Sequence, residues 1–267
     1  MYLRSKRVLL WTLPVVLLAC AVSAVFLSSA SSITQTTPTP VQTRTGKMRN
    51  LSLQPEAFKL SRRLGNRFIS SRSTSSTAVG TLITGTLQQS VNVVRNQTPT
   101  GENVGIGMSG TVGTLTWSDV DGPKASSSSL NEGQRMLIER LVLDSPDQFV
   151  LAQLRGASYY TVSRNVRDDL GGSDNYSGPL WDVIRVEEPA TEASRRPLSN
   201  SRLYYLNVQT GLIDKIVSEV RGEKIEANVL EWVDQAGEQV PSRIVWKRGQ
   251  ETVQEFRLTS FATQPQQ

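Results

Sequence analysis

The stretch from Leu203 to Ala262 constrains the fold of this chain more than any other: "LYYLNVQTGLIDKIVSEVRGEKIEANVLEWVDQAGEQVPSRIVWKRGQETVQEFRLTSFA". Turn signals interrupt it at Gln209-Thr210-Gly211, Gly222, Asp234 to Gly237 and Arg248-Gly249. Between them lie runs rich in β-branched and aromatic residues: Ile213 to Val220, Ile225 to Val233, Arg243 to Lys247 and Val253 to Phe261. Such residues suit a pleated, half-buried surface. Loops this short cannot carry a crossover, so consecutive strands must run antiparallel. The stretch therefore predicts a meander of five strands.

Alternation within the runs assigns faces. Leu230 with Trp232, Ile244 with Trp246, and Phe256 with Leu258 are each two positions apart, which predicts a shared face for each pair. The positions between them carry Glu231, Arg243, Lys247, Glu255 and Arg257. One face is expected to be apolar and aromatic, the other wet.

The N-terminus carries a different signal. Arg4, Lys6 and Arg7 precede the uncharged apolar run Val8 to Leu27. A basic flank before such a run predicts export across the cytoplasmic membrane. The run is long enough to span a bilayer as a helix. Residues 1–30 thus read as an uncleaved anchor or as a signal peptide cleaved after "VSA" or "SSA", and "LLAC" makes Cys20 a candidate for lipidation. Residues 31–50 continue a Ser/Thr/Pro-rich tract that cannot bury enough apolar surface to fold, and they read as a stalk. Residues 51–264 are left as one exported domain, periplasmic or facing outward from an anchor.

Within that domain, "PEAFKLSRRLGNRFI" places Ala57, Leu60, Leu64 and Phe68 on one helical face. "AVGTLITGTLQQSVNVVR" predicts strands with a glycine turn or bulge. "QRMLIERLVLDSP" predicts a helix ending before Pro146, with a short helix in "DQFVLAQL". "YYTVSRNV" and "LWDVIRVEE" predict two further strands.

Composition excludes much chemistry. The chain of 267 residues has no histidine, and its one cysteine is Cys20. Ser-His-Asp and Cys-His catalysis are excluded in their usual forms, as are His/Cys zinc sites and disulfides in the exported body. The net charge of +5 includes the three basic residues of the leader; the remainder holds 26 basic and 24 acidic residues, too balanced for nucleic-acid binding. "GIGMSG" (Gly105 to Gly110) spells G-x-G-x-x-G, yet a loop precedes it and the β-rich "TVGTLTW" follows. A dinucleotide loop needs a strand before and a helix after, so the glycines are read as permitting bulges in a curved strand. "DDLGGSDN" lacks the register of a calcium loop, and Asp168-Asp169 and Glu187-Glu188 read as solvated acids. No cofactor, metal or catalytic set is expected.

The meander resembles the C-terminal half of the lipoprotein-carrier fold, the LolA/LolB-like group that includes the sensor domain of RseB-type periplasmic proteins. The resemblance rests on "YYLNVQTGLIDKI", a strand, a D-x-x-T-G-L-type turn and the next strand, with Asn207 where aspartate is commoner. It rests also on "WVDQAGEQVPSRIVW", similar to the group's turn-G-x-x-x-P-x-x-I element. The resemblance implies an α+β domain: a strongly curved antiparallel sheet, an incomplete barrel, with helices packed over its concave apolar face. It further implies a non-enzymatic protein with a cavity for an acyl chain, lipid or lipoprotein. Leu230, Trp232, Ile244, Trp246, Phe256 and Leu258 are the expected lining. The alternative is a filled core serving as a structural or protein-interaction module of the envelope.

Overall fold

A computed structural model describes residues 55–64, 74–98, 101–110, 114–118, 122–125, 131–167, 178–189, 198–220, 222–235 and 237–265. Val8 to Leu27, Cys20, the stalk, Phe68 and the segment Asp168 to Asn175 lie outside these residues. Among the described residues, no helix is long and apolar enough to cross a membrane.

Helix α1 (Pro55–Arg63) precedes a first meander of β1 (Thr74–Thr84), β2 (Leu87–Thr98), β3 (Gly101–Met108), β4 (Leu115–Ser118) and β5 (Gly122–Ala125). A helical insert follows: α2 (Glu132–Ile138), a π-helical turn (Glu139–Leu143) and α3 (Asp147–Leu154). The second meander comprises β6 (Ser158–Val166), β7 (Trp181–Glu187), β8 (Leu198–Asn207), β9 (Ile213–Val220), β10 (Glu223–Gln235), β11 (Glu238–Arg248) and β12 (Glu251–Pro265). Antiparallel pairing of β1 with β12 joins the two meanders. The result is one open, strongly curved antiparallel sheet of twelve strands, ordered β5-β4-β3-β2-β1-β12-β11-β10-β9-β8-β7-β6. Strands β8 to β12 are the meander expected from the C-terminal turns.

Local chemistry explains where the boundaries moved. Helix α2 begins at Glu132, ahead of the expected Gln134, because Asn131 and Gln134 cap each other reciprocally: the Gln134 backbone N–H donates to Asn131 Oδ1 at 2.9 Å and the Asn131 N–H to Gln134 Oε1 at 3.0 Å. Strand β11 begins at Glu238 and runs through Pro241, ahead of the expected run Arg243 to Lys247. Pro241 faces Trp232 at a point where the pairing is already irregular, so its missing N–H breaks no regular ladder.

The bulges are not where the glycines of "GIGMSG" predicted them. Gly105 and Gly107 sit in a ladder that pairs with β2 and β4 without a register shift, so that expectation is corrected. The pairing instead skips Leu230 on β10, Ser242 on β11, and Val253 and Thr259 on β12. An extra residue bends its strand and tightens the twist, so these positions carry the curvature. Gly80 is required at one of them. A Cβ there would lie 2.6 Å from the Phe256 ring, which occupies the space a side chain would need.

The helices and the sheet's inner face share one core. Leu60 and Leu64 of the α1 segment, Ile138 and Val142 of the insert, and Phe149 of α3 are buried against Val91, Ile106, Tyr204, Ile216 and Trp246. Phe149 meets the rings of Tyr159 and Tyr204 edge-on at 5.2 and 5.0 Å. The Tyr159 hydroxyl also donates to the Phe149 carbonyl. Aromatic packing thereby fixes α3 on the sheet.

Candidate functional site

Inward rows from neighbouring strands build an apolar wall where the two meanders meet. Val93 comes from β2, Ile244 and Trp246 from β11, and Phe256, Leu258 and Phe261 from β12. Leu258 and Phe261 share this wall although three positions apart, because Thr259 is the extra residue between them. Against the wall lie Leu141, Ser145 and Asp147 of the helical insert, with Arg95 of β2 beside them. They surround a partly open cavity of about 70 Å³.

Four of the expected lining residues, Ile244, Trp246, Phe256 and Leu258, are in this wall. Trp232 is half-buried and packs on the edge of the core without lining the cavity. Leu230 is a correction: it is 53% exposed. Val229 pairs with Ile244 and Glu231 with Arg243, which leaves Leu230 as a bulge residue turned to the outer face. One extra residue reverses alternation beyond it, so two positions spaced by two no longer share a face.

A chain of buried polar groups borders the cavity and ties the insert to both meanders. Arg95 Nη1 donates to Glu102 Oε1 at 2.9 Å, while its Nη2 donates to the Leu141 carbonyl at 2.9 Å and to Ser145 Oγ at 3.2 Å. Gln148 Nε2 donates to the other Glu102 oxygen at 2.9 Å. Arg155 Nη2 donates to Gln148 Oε1 at 2.6 Å, and Arg155 Nε to Glu188 Oε2 at 2.7 Å. Arg202 lies 3.8 Å from Glu188 and donates to Asp144 at 3.2 Å. Ser218 Oγ of β9 donates to the second Asp144 oxygen at 3.4 Å.

Electrostatics follow burial. Desolvation works against the Arg95 charge most strongly, yet Glu102 and Asp147 together hold its pKa above the ordinary value. Burial raises the Asp144 carboxyl above the usual carboxylate range despite Arg202. Such pairs contribute little net stability, but removing one partner leaves a buried charge uncompensated.

None of these groups except Glu188 was singled out from sequence, and Glu188 was expected to be a solvated loop acid. Its partners show otherwise. The available signal was a charge on an apolar period: Arg95 follows Val91 and Val93, Glu102 precedes Val104 and Ile106, and Arg202 precedes Tyr204 and Leu206. Among the described residues, no three His, Cys, Asp or Glu side chains gather as a metal site.

No protein-family model and no curated protein matches the chain. Among solved structures, it is similar to a DUF1329 family protein from Desulfovibrio piger, with 10% identity and a TM-score of 0.47 over 77% of this chain and 90% of that one. It is similar to a LolA superfamily protein from Nitrosomonas europaea, with 10% identity and a TM-score of 0.47 over 79% and 93%. It is also similar to an outer membrane lipoprotein-sorting protein domain from Vibrio parahaemolyticus, with 9% identity and a TM-score of 0.46 over 77% and 91%. At these identities no residue role passes from them to this chain.

Proposed function

We propose that this chain is an exported envelope protein, held outside the cytoplasmic membrane by its N-terminal segment or released there, that binds a hydrophobic ligand without catalysis. An acyl chain, carried by a lipid or a lipoprotein, is the ligand class that the wall around Trp246 fits. The observation that carries this reading is the cavity of about 70 Å³ between the apolar wall and the helical insert. Small-molecule sites combine mostly apolar walls with a few placed polar groups, as here with Arg95, Ser145 and Asp147.

Titration of the full-length protein with a fluorescent fatty-acid probe tests the reading. Saturable binding that Phe256→Trp weakens by overfilling the cavity supports it; probe binding that Phe256→Trp leaves unchanged contradicts it.

The size of the cavity also favours a second reading. Ligand pockets run to roughly 300–1,000 Å³, and a cavity of about 70 Å³ is small beside them, so a long acyl chain enters only if the insert shifts off the sheet. An insert that never shifts leaves a nearly filled core, suited to a protein-interaction module. In-cell cross-linking distinguishes the two, since that module predicts one specific protein partner and no bound lipid.

A further inference from the structure

The two ends of the cavity differ in burial. Strand pairing sets their order along β12: Phe261 faces Ala78, Leu258 faces Gly80 and Phe256 faces Leu82. At one end the lining residues Ser76 and Phe261 are half-buried. Towards the other, Phe256 and Trp246 are buried. The open side therefore lies at Ser76 and Phe261, and the floor at Phe256 with Trp246 beside it on β11.

What ends the cavity is visible along β1, whose alternate residues share a face. Ser76 and Ala78 line the cavity, while Gly80 and Leu82 of the same row do not. The space over Gly80 is already taken, since a Cβ there would lie 2.6 and 2.7 Å from Cε2 and Cζ of Phe256. Only glycine lets another group come so near the backbone of a strand. The far edge of the Phe256 ring thus stands on the row at the position where the cavity stops.

We propose that Phe256 sets the length of apolar tail that the cavity takes while the insert stays in place. The tail enters past Ser76 and Phe261 and stops with its methyl end against the Phe256 ring. Gly80 acts through that ring, as the positioning residue that gives it room. This assignment rests on the hydrophobic-ligand reading above and adds which end of the ligand enters first and what limits its length.

The test is calorimetric titration of full-length protein in amphipol with n-alkanoates from butanoate to dodecanoate, with amphipol alone as the blank. Each methylene that reaches the apolar wall strengthens binding roughly fourfold. Affinity should climb with length and then stop climbing at one length, where the methyl end meets Phe256. Phe256→Leu is expected to raise that length by about one carbon and Phe256→Ala by about three, the room that each truncation frees. Phe261→Ala, at the open side, should weaken every alkanoate by a similar factor and leave the break where it was. A break unmoved in the folded Phe256 variants overturns the proposal, as does a break that moves in Phe261→Ala or a climb that never stops. Each of these results leaves the hydrophobic-ligand reading intact, whereas binding of no alkanoate at all overturns both. A second measurement needs no variant. On the unaltered protein, the alkanoate at the break, 13C-labelled at its terminal methyl, should show a nuclear Overhauser contact from that methyl to the Phe256 ring. A contact to Phe261 in its place overturns the assignment, so it stays testable if the Phe256 variants fail to fold.

Discussion

Asn207 shows how one residue can fix a turn between two strands. Its Oδ1 accepts from the Gln209 and Thr210 backbone N–H groups at 2.9 and 3.1 Å, while its Nδ2 donates to Asp214 Oδ2 at 2.8 Å. Trp181 Nε1 donates to the same Asp214 oxygen at 2.9 Å. An aspartate at position 207 would keep the two turn bonds but could not donate, and it would place a second carboxylate beside Asp214. Asn207→Asp is therefore expected to destabilise the protein by about 1–3 kcal/mol, measured by urea unfolding at neutral pH. Tyr204 makes a pH prediction at the same scale. Burial raises its hydroxyl pKa above the ordinary value of 10.0. Its contribution is fully present below the unfolded-state value and is lost as pH rises above it, because the unfolded chain releases that proton first. Tyr204→Phe should flatten the fall in stability between about pH 9 and 11 while leaving the acid side unchanged. Single residues were the least legible part of the sequence. Ile244, Trp246, Phe256 and Leu258 reached the inner face as their period of two predicts. Leu230 did not, because nothing local marks it as the extra residue of a bulge.

At the scale of elements, the helical insert is the part whose attachment matters most. Phe149 docks it through two aromatic contacts, and Arg95, Arg155 and Arg202 tie it to strands of both meanders. Arg155 is the middle link. It ends α3, binds Glu188 beyond β7, and lies 6.0 Å from the Trp117 ring of β4. Arg155→Met keeps much of its bulk but removes the charge-assisted bonds to Glu188 at 2.7 and 3.1 Å, while the longer Arg202 contact at 3.8 Å stays. The expected loss is about 2 kcal/mol, less than for a fully buried pair because both side chains keep some exposure. Hydrogen exchange should show faster opening of α2 and α3 with little change in β8 to β12. Equal acceleration everywhere would mean that Arg155 serves global stability only. The helices and most strands were legible because their turns are coded within a few residues. The ion pairs were not, since Asp144 and Arg202 or Arg155 and Glu188 meet only through the completed sheet.

For the whole molecule, two meanders joined through β1 and β12 bring strands from both ends of the domain to face the insert. The cavity sits there, and its polar border is made of the groups that hold the insert down. A ligand entering beneath the insert would meet those groups first, which couples occupancy to the insert's attachment. Ala78 of β1 also lines the cavity, paired with Val93 in the ladder. The most direct measurement is the lipid bound to full-length protein purified from envelopes, compared with Ala78→Leu, by extraction and mass spectrometry. The hydrophobic-ligand account predicts acyl lipid at near-stoichiometric level on the unaltered protein and its loss from Ala78→Leu at unchanged folding. Acyl lipid absent from both proteins, or equal on both, would contradict it.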